Sequence, residues 1–136
     1  MQPLTSSLQT TRIWLRDVAV ALGSNDPRDA WHALRAVLAT LRDQLPTAEV
    51  ADLASELPIT VRGAYYDGWS GQMQRAESHH TFINAVRGRL GPNPVIDPEK
   101  AVQAVLHVVR SHVSAGELRH VEGVLPMELK GMVAPA

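Results

Sequence analysis

The chain predicts an all-α fold of about eight helices, built as two tandem, pseudo-symmetric four-helix units around a shared aliphatic core. Three observations predict it. Apolar residues recur at the i, i+3, i+4, i+7 spacing of a helix in stretch after stretch, without the alternation of a half-buried strand. The composition is 45% hydrophobic but only 4% aromatic, so the interior must be filled by Leu, Val, Ile and Ala, which suits closely packed helices. Finally, residues 13–65 align on residues 81–133 without a gap, with fourteen identical pairs over 53 positions, where ordinary residue usage would give on the order of four. The matches, Val18/Val86, Leu22/Leu90, Gly23/Gly91, Asn25/Asn93, Ala36/Ala104, Val37/Val105, Leu38/Leu106, Arg42/Arg110, Glu49/Glu117 and Leu57-Pro58/Leu125-Pro126 among them, fall on apolar faces, caps and punctuation.

Each unit reads as four helices. The first spans about Thr11 to Leu22 around Trp14, Leu15, Val18 and Leu22, and Gly23 ends it in a left-handed conformation. Its partner uses Phe82, Ile83, Val86 and Leu90 before Gly91. The second begins at Asp26-Pro27 or Asp97-Pro98, where Asp caps free amides and Pro at the first helical position gives up no hydrogen bond. Leu34, Val37, Leu38, Leu41 and Leu45, and likewise Val102, Val105, Leu106, Val109 and Val113, form core-facing stripes. The third helix starts at Ser114 with Glu117 three residues on, a capping box; its counterpart has Pro46 in place of the serine, which leaves Thr47 as the expected cap. Pro58 and Pro126 each open a short fourth helix. The expected organisation is a first unit at residues 1–66, a linker at 67–77 carrying Gly68 and Gly71, and a second unit at 78–136.

Composition narrows the function. A formal net charge of -1 argues against a protein that works by neutralising many phosphates, so nucleic acid is not the expected partner despite eleven Arg. Absence of Cys excludes disulfides, thiolate catalysis and Cys-ligated zinc. No apolar run approaches the roughly 20 residues of a membrane span, and the first 22 residues lack a signal-peptide pattern, so a cytoplasmic protein is expected.

Five of the six histidines, His79, His80, His107, His112 and His120, lie in the second unit and are the candidates for a metal site. Their spacing argues against one: His107 and His120 fall opposite their apolar stripes, and no pair has the i, i+4 spacing of a helical metal site. Asp26, Asp29, Asp97 and Glu117 read as caps and not as catalytic acids. Arg42 with Glu49, and Arg110 with Glu117, are expected to bridge the second and third helices of each unit. No Gly-x-Ser-x-Gly elbow or Gly-rich phosphate loop is present. Trp31, Tyr65, Tyr66 and Trp69 are the candidate interaction or pocket surface, set against the alternative that these aromatics pin the linker across the joint.

The ordered set Ala36-Val37-Leu38, Glu49, Leu57-Pro58, Gly68-Trp69, Phe82 to Gly91, Ala104-Val105-Leu106, Ser114 to Glu117 and Leu125-Pro126 resembles the bacterial domain-of-unknown-function family 2267 over nearly the whole chain. That resemblance implies an all-helical, soluble bacterial protein and carries over no functional residue. The expected function is therefore a non-catalytic helical interaction or scaffold protein without cofactor, bound to a second copy or to another protein. The rival is a small-molecule binder or enzyme with a pocket between the units.

Overall fold

The computed structural model describes residues 3–92 and 96–135, with side chains from residue 8 onward. Asn93, matched to Asn25 in the internal alignment, lies outside the described residues. Among those residues there are seven α-helices, one 3₁₀ helix and no strand. The helices are α1 (Pro3–Leu22), α2 (Pro27–Asp43), α3 (Thr47–Ala54), α4 (Ile59–Tyr66), α5 (His79–Leu90), α6 (Pro98–His112) and α7 (Ala115–Val124), followed by the 3₁₀ helix Met127–Met132.

Local chemistry places most of the boundaries. Gly23 has φ +71°, and the bonds Gly23 N–H to Val20 C=O and Ser24 N–H to Ala19 C=O complete a Schellman motif. The side chains of Asp26 and Asp97 accept the amides of Arg28 and Glu99, each beside a Pro at the helix start. α1 begins at Pro3, well before Thr11. Its added length carries exposed side chains at positions 8–10, so no apolar period marked it.

Two caps differ from expectation. Pro46 precedes α3 without any side-chain cap, and Thr47 is the first helical residue instead of the cap. Ser114 does accept the Glu117 amide, but the reciprocal half of the box comes from the other half of the chain. Glu56 Oε1 accepts the Ser114 amide at 2.7 Å and its Oε2 accepts the Ser114 hydroxyl at 2.8 Å, which leaves the Glu117 carboxyl free to turn inward. Ser114→Ala is accordingly expected to cost about 1 kcal/mol, the usual value of such a cap, read as a lower denaturation midpoint in urea. The fourth element of the second half is a 3₁₀ turn and not an α-helix; Pro135 disfavours helical geometry at Ala134 and stops it from lengthening.

α1 packs on α2 and α6, α5 packs on α6 and α2, α2 packs on α6, and α3 on α7. The first helix of each half therefore rests on the second helix of the other. One buried cluster draws on both halves, from Trp14, Leu34, Val37 and Leu38 to Val105, Leu106, Val109 and Leu129.

The connection from α4 to α5 is strapped down. Arg42 Nη1 donates to the carbonyls of Tyr65 and Asp67, the Gln74 amide donates to the Asp43 carbonyl, and Gln44 Oε1 accepts the Ala76 amide at 2.7 Å. Arg110 Nη1 donates to the Met132 carbonyl. The two matched arginines thus hold carbonyls at the ends of the fourth elements and do not bridge to Glu49 and Glu117.

Candidate functional site

The aromatic group expected at the joint is a packed cluster. Tyr65 is fully buried, its hydroxyl donates to the Val50 carbonyl at 2.9 Å, and burial raises its phenol far above the ordinary range. Tyr66 meets Tyr65 edge-on with ring centres 5.4 Å apart, and Trp69 lies 5.7 Å from Tyr66. Tyr66, Trp69 and Trp31 are half-buried against the core.

The histidines are dispersed. His79 lies 3.5 Å from Glu99, His80 pairs with Asn84, and His120 lies 3.7 Å from Glu117. His112 stacks on Trp14 at 5.1 Å and pairs with Asp17 at 2.9 Å, while His107 lines a groove between α1 and α6. Among the described residues no three His, Asp or Glu side chains converge as a metal site requires.

The joint between the halves holds a different feature. An open cleft of about 170 Å³ is lined by His32, Arg35, Ala36 and Ala39 of α2, Ala64 of α4, Asp67, and Arg89 of α5. It exists because its floor is made of three alanines, whose methyl groups leave room that larger side chains would fill. Arg35 pairs with Asp67 at 3.0 Å on its rim. Arg89 Nη1 donates to Thr40 Oγ1 at 2.8 Å and its Nη2 to Asp43 Oδ2 at 2.6 Å. Behind it, Arg42 Nε and Nη2 both donate to Asp43 Oδ1, at 3.0 and 2.9 Å.

Arg42 and Asp43 are both almost wholly enclosed. A lone buried charge is very costly, so Asp43 is tolerable only because two guanidiniums saturate it. Three guanidiniums, Arg35, Arg42 and Arg89, thus share two carboxylates, Asp43 and Asp67, a net positive set of which Arg35 and Arg89 line the cleft with His32. In a confined, partly desolvated space such a charge acts more strongly than on open surface.

A sequence profile for the family described as an uncharacterized conserved protein (DUF2267) matches residues 11–132. The chain belongs to this family. No curated protein matches it. The matched DUF2267 region takes in every residue of the cleft and all the described helices apart from the first two turns of α1. As a DUF2267 member the chain inherits no assigned activity, so function must be argued from its own groups. No helix among the described residues is long and apolar enough to cross a membrane.

The sequence offered one overlooked signal for this cleft: two acid-base neighbours, Arg42-Asp43, at the end of an otherwise core-facing helix. Adjacent residues on a helix do not ordinarily face one another, so the spacing alone does not predict the contact that Arg42 makes with Asp43.

Proposed function

We propose that this chain is a binding protein whose cleft between α2, α4 and α5 receives a small anionic group, a phosphate or a carboxylate. The observation that supports it is the Arg35/Arg89 rim over an alanine floor, with room for a compact anion or several waters.

The internal alignment supplies a control for this reading. The groove between α1 and α6 shares two positions with the cleft, His107 for Ala39 and Ala21 for Arg89, and Thr40 and Asp43, which hold Arg89, are replaced there by Val108 and Ser111. If the halves arose by duplication, one copy of this joint holds together without the Asp43–Arg89 ion pair. Packing alone therefore does not demand this ion pair, and ligand recognition is the better account of it.

Arg35 is the residue to test because it is half-exposed on the cleft rim. Inorganic phosphate or pyrophosphate, titrated against the labelled protein, should shift the amide resonances of α2 and α5. Arg35→Gln should weaken binding about tenfold, which corresponds to about 1.4 kcal/mol. Absence of any shift at millimolar phosphate, pyrophosphate and short dicarboxylates would remove the proposal.

A second reading, an interaction or scaffold protein of the bacterial cytoplasm, is favoured by two observations. Val20 of α1 is 75% exposed beside the α1–α6 groove, one heptad from the 40% exposed Ile13, and lack of Cys suits a reducing compartment. Sedimentation of the protein and of Val20→Glu tests it: a concentration-dependent dimer abolished by the charge supports this reading, and a monomer at every concentration opposes self-association.

A further inference from the structure

We propose that Glu49 and Glu117 share a single proton across the contact between α3 and α7, and that release of this proton weakens the joint between the two halves.

The two residues occupy matched positions of the internal alignment, and each is the third residue of its helix. α3 packs on α7, so the repeat brings like against like. Both residues are buried, at 9% and 8% exposure. Glu49 Oε1 and Glu117 Oε2 are shut off from solvent with no donor on either, and Glu49 acts directly on the Glu117 carboxyl. Two ionised carboxylates have no donor between them. One proton on the pair provides the donor and removes the repulsion together.

No neighbouring group offers the compensation that would keep both ionised. The Tyr65 hydroxyl, from α4, is committed to the Val50 carbonyl. The charges acting on Glu117 from α3 and the turn after it, Glu49, Asp52 and Glu56, are all negative. His120, on α7 itself, lies 3.7 Å away and is exposed to solvent. Helix first-turn amides favour the ionised form, but burial outweighs them, followed by the hydrogen bond and charge of Glu49, and the Glu117 carboxyl is pushed up to about 8.

The direction of the pH dependence follows. Below the ordinary glutamate value of 4.5 the folded and unfolded chains both hold the proton. Between 4.5 and about 8 only the folded chain holds it, so stability falls as pH rises; above about 8 both have released it and the loss is complete.

The test is thermal unfolding of the full chain from about pH 5.5 to about pH 9 for the parent, Glu117→Gln and Glu49→Gln. The parent should lose about 5 °C or more across this range. In Glu117→Gln the amide donates permanently to Glu49, so less than half of that loss should remain and the variant should melt above the parent at the alkaline end. Histidines other than His120 are common to all three proteins and cancel in the comparison, and Glu49→Gln keeps the His120–Glu117 contact as well. An unchanged loss in both variants would overturn the proposal. Should the variants fail to fold, carbon NMR of the parent's glutamate carboxyls decides: one resonance titrating near 8 supports a shared proton, and all titrating below about 5 overturn it. Millimolar magnesium or calcium that restores the parent at alkaline pH, but not Glu117→Gln, would overturn it in favour of a cation held by the same pair.

Discussion

Asp43→Ala is expected to lower the unfolding free energy by about 3–5 kcal/mol, because removing one partner of a buried ion pair leaves an uncompensated charge. Asp43 accepts three guanidinium hydrogen bonds, two from Arg42 and one from Arg89. Arg89 is one-third exposed and can turn to water, whereas Arg42 is 2% exposed and cannot. The loss therefore concentrates on Arg42, whose remaining bonds reach the carbonyls of Tyr65 and Asp67; a disturbed Arg42 also loosens the connection to α5. The pair Asp43→Ser with Arg89→Ala copies the chemistry of Ser111 and Ala21 in the other half. It should cost less than the sum of its single changes, with a coupling of about 0.5–3 kcal/mol. Urea denaturation of the four proteins measures this, and additivity would show that Asp43 and Arg89 do not act as a unit.

Much of the helical frame was legible because its causes are local. The stripes Leu34-Val37-Leu38-Leu41 and Val102-Val105-Leu106-Val109 are buried as their period requires, and Asp26, Asp97 and Gly23 act where their backbone chemistry places them. What failed depends on how helices meet. Glu49 and Glu117 read as partners of Arg42 and Arg110, since opposite charges on neighbouring helices are the usual arrangement. The packing of α3 on α7 joins the two acids instead, and the arginines turn to backbone carbonyls. Nothing in either segment alone encodes that choice, because it is set by the approach of elements 68 residues apart.

The candidate site was partly legible for the same reason. Tyr65, Tyr66 and Trp69 do come together, but the Tyr65 hydroxyl finds a buried acceptor in Val50 and turns the aromatic cluster into packing. The cleft beside it combines α2 with Arg89, which lies 46 residues from Asp43 along the chain. Alanines at 36, 39 and 64 read as ordinary helix formers, and only their convergence shows them to be the floor of an opening.

Val37→Asp and Leu106→Asp should each unfold the protein. Val37 is fully enclosed and Leu106 is 2% exposed, so each change forfeits about 1.5–3 kcal/mol of apolar burial and adds the larger cost of an unpaired carboxylate, or of protonating it, in an aliphatic interior. Together these rival the entire stability of a domain, about 5–15 kcal/mol. Glu117 tolerates burial by keeping a proton shared with Glu49, whereas the residues that line the space beside Leu106, namely Leu41, Phe82, Leu125, Leu129, Met132 and Val133, are all apolar. Val20→Asp, on the open face of α1, serves as the control and should change stability by no more than about 0.5 kcal/mol. The decisive measurement is hydrogen exchange across the whole chain. Since α2 packs on both α5 and α6, Leu106→Asp should abolish protection in α2 as completely as in α6. Protection retained in α1 to α4 would mean that the first half folds alone and that the interior is divided, not shared.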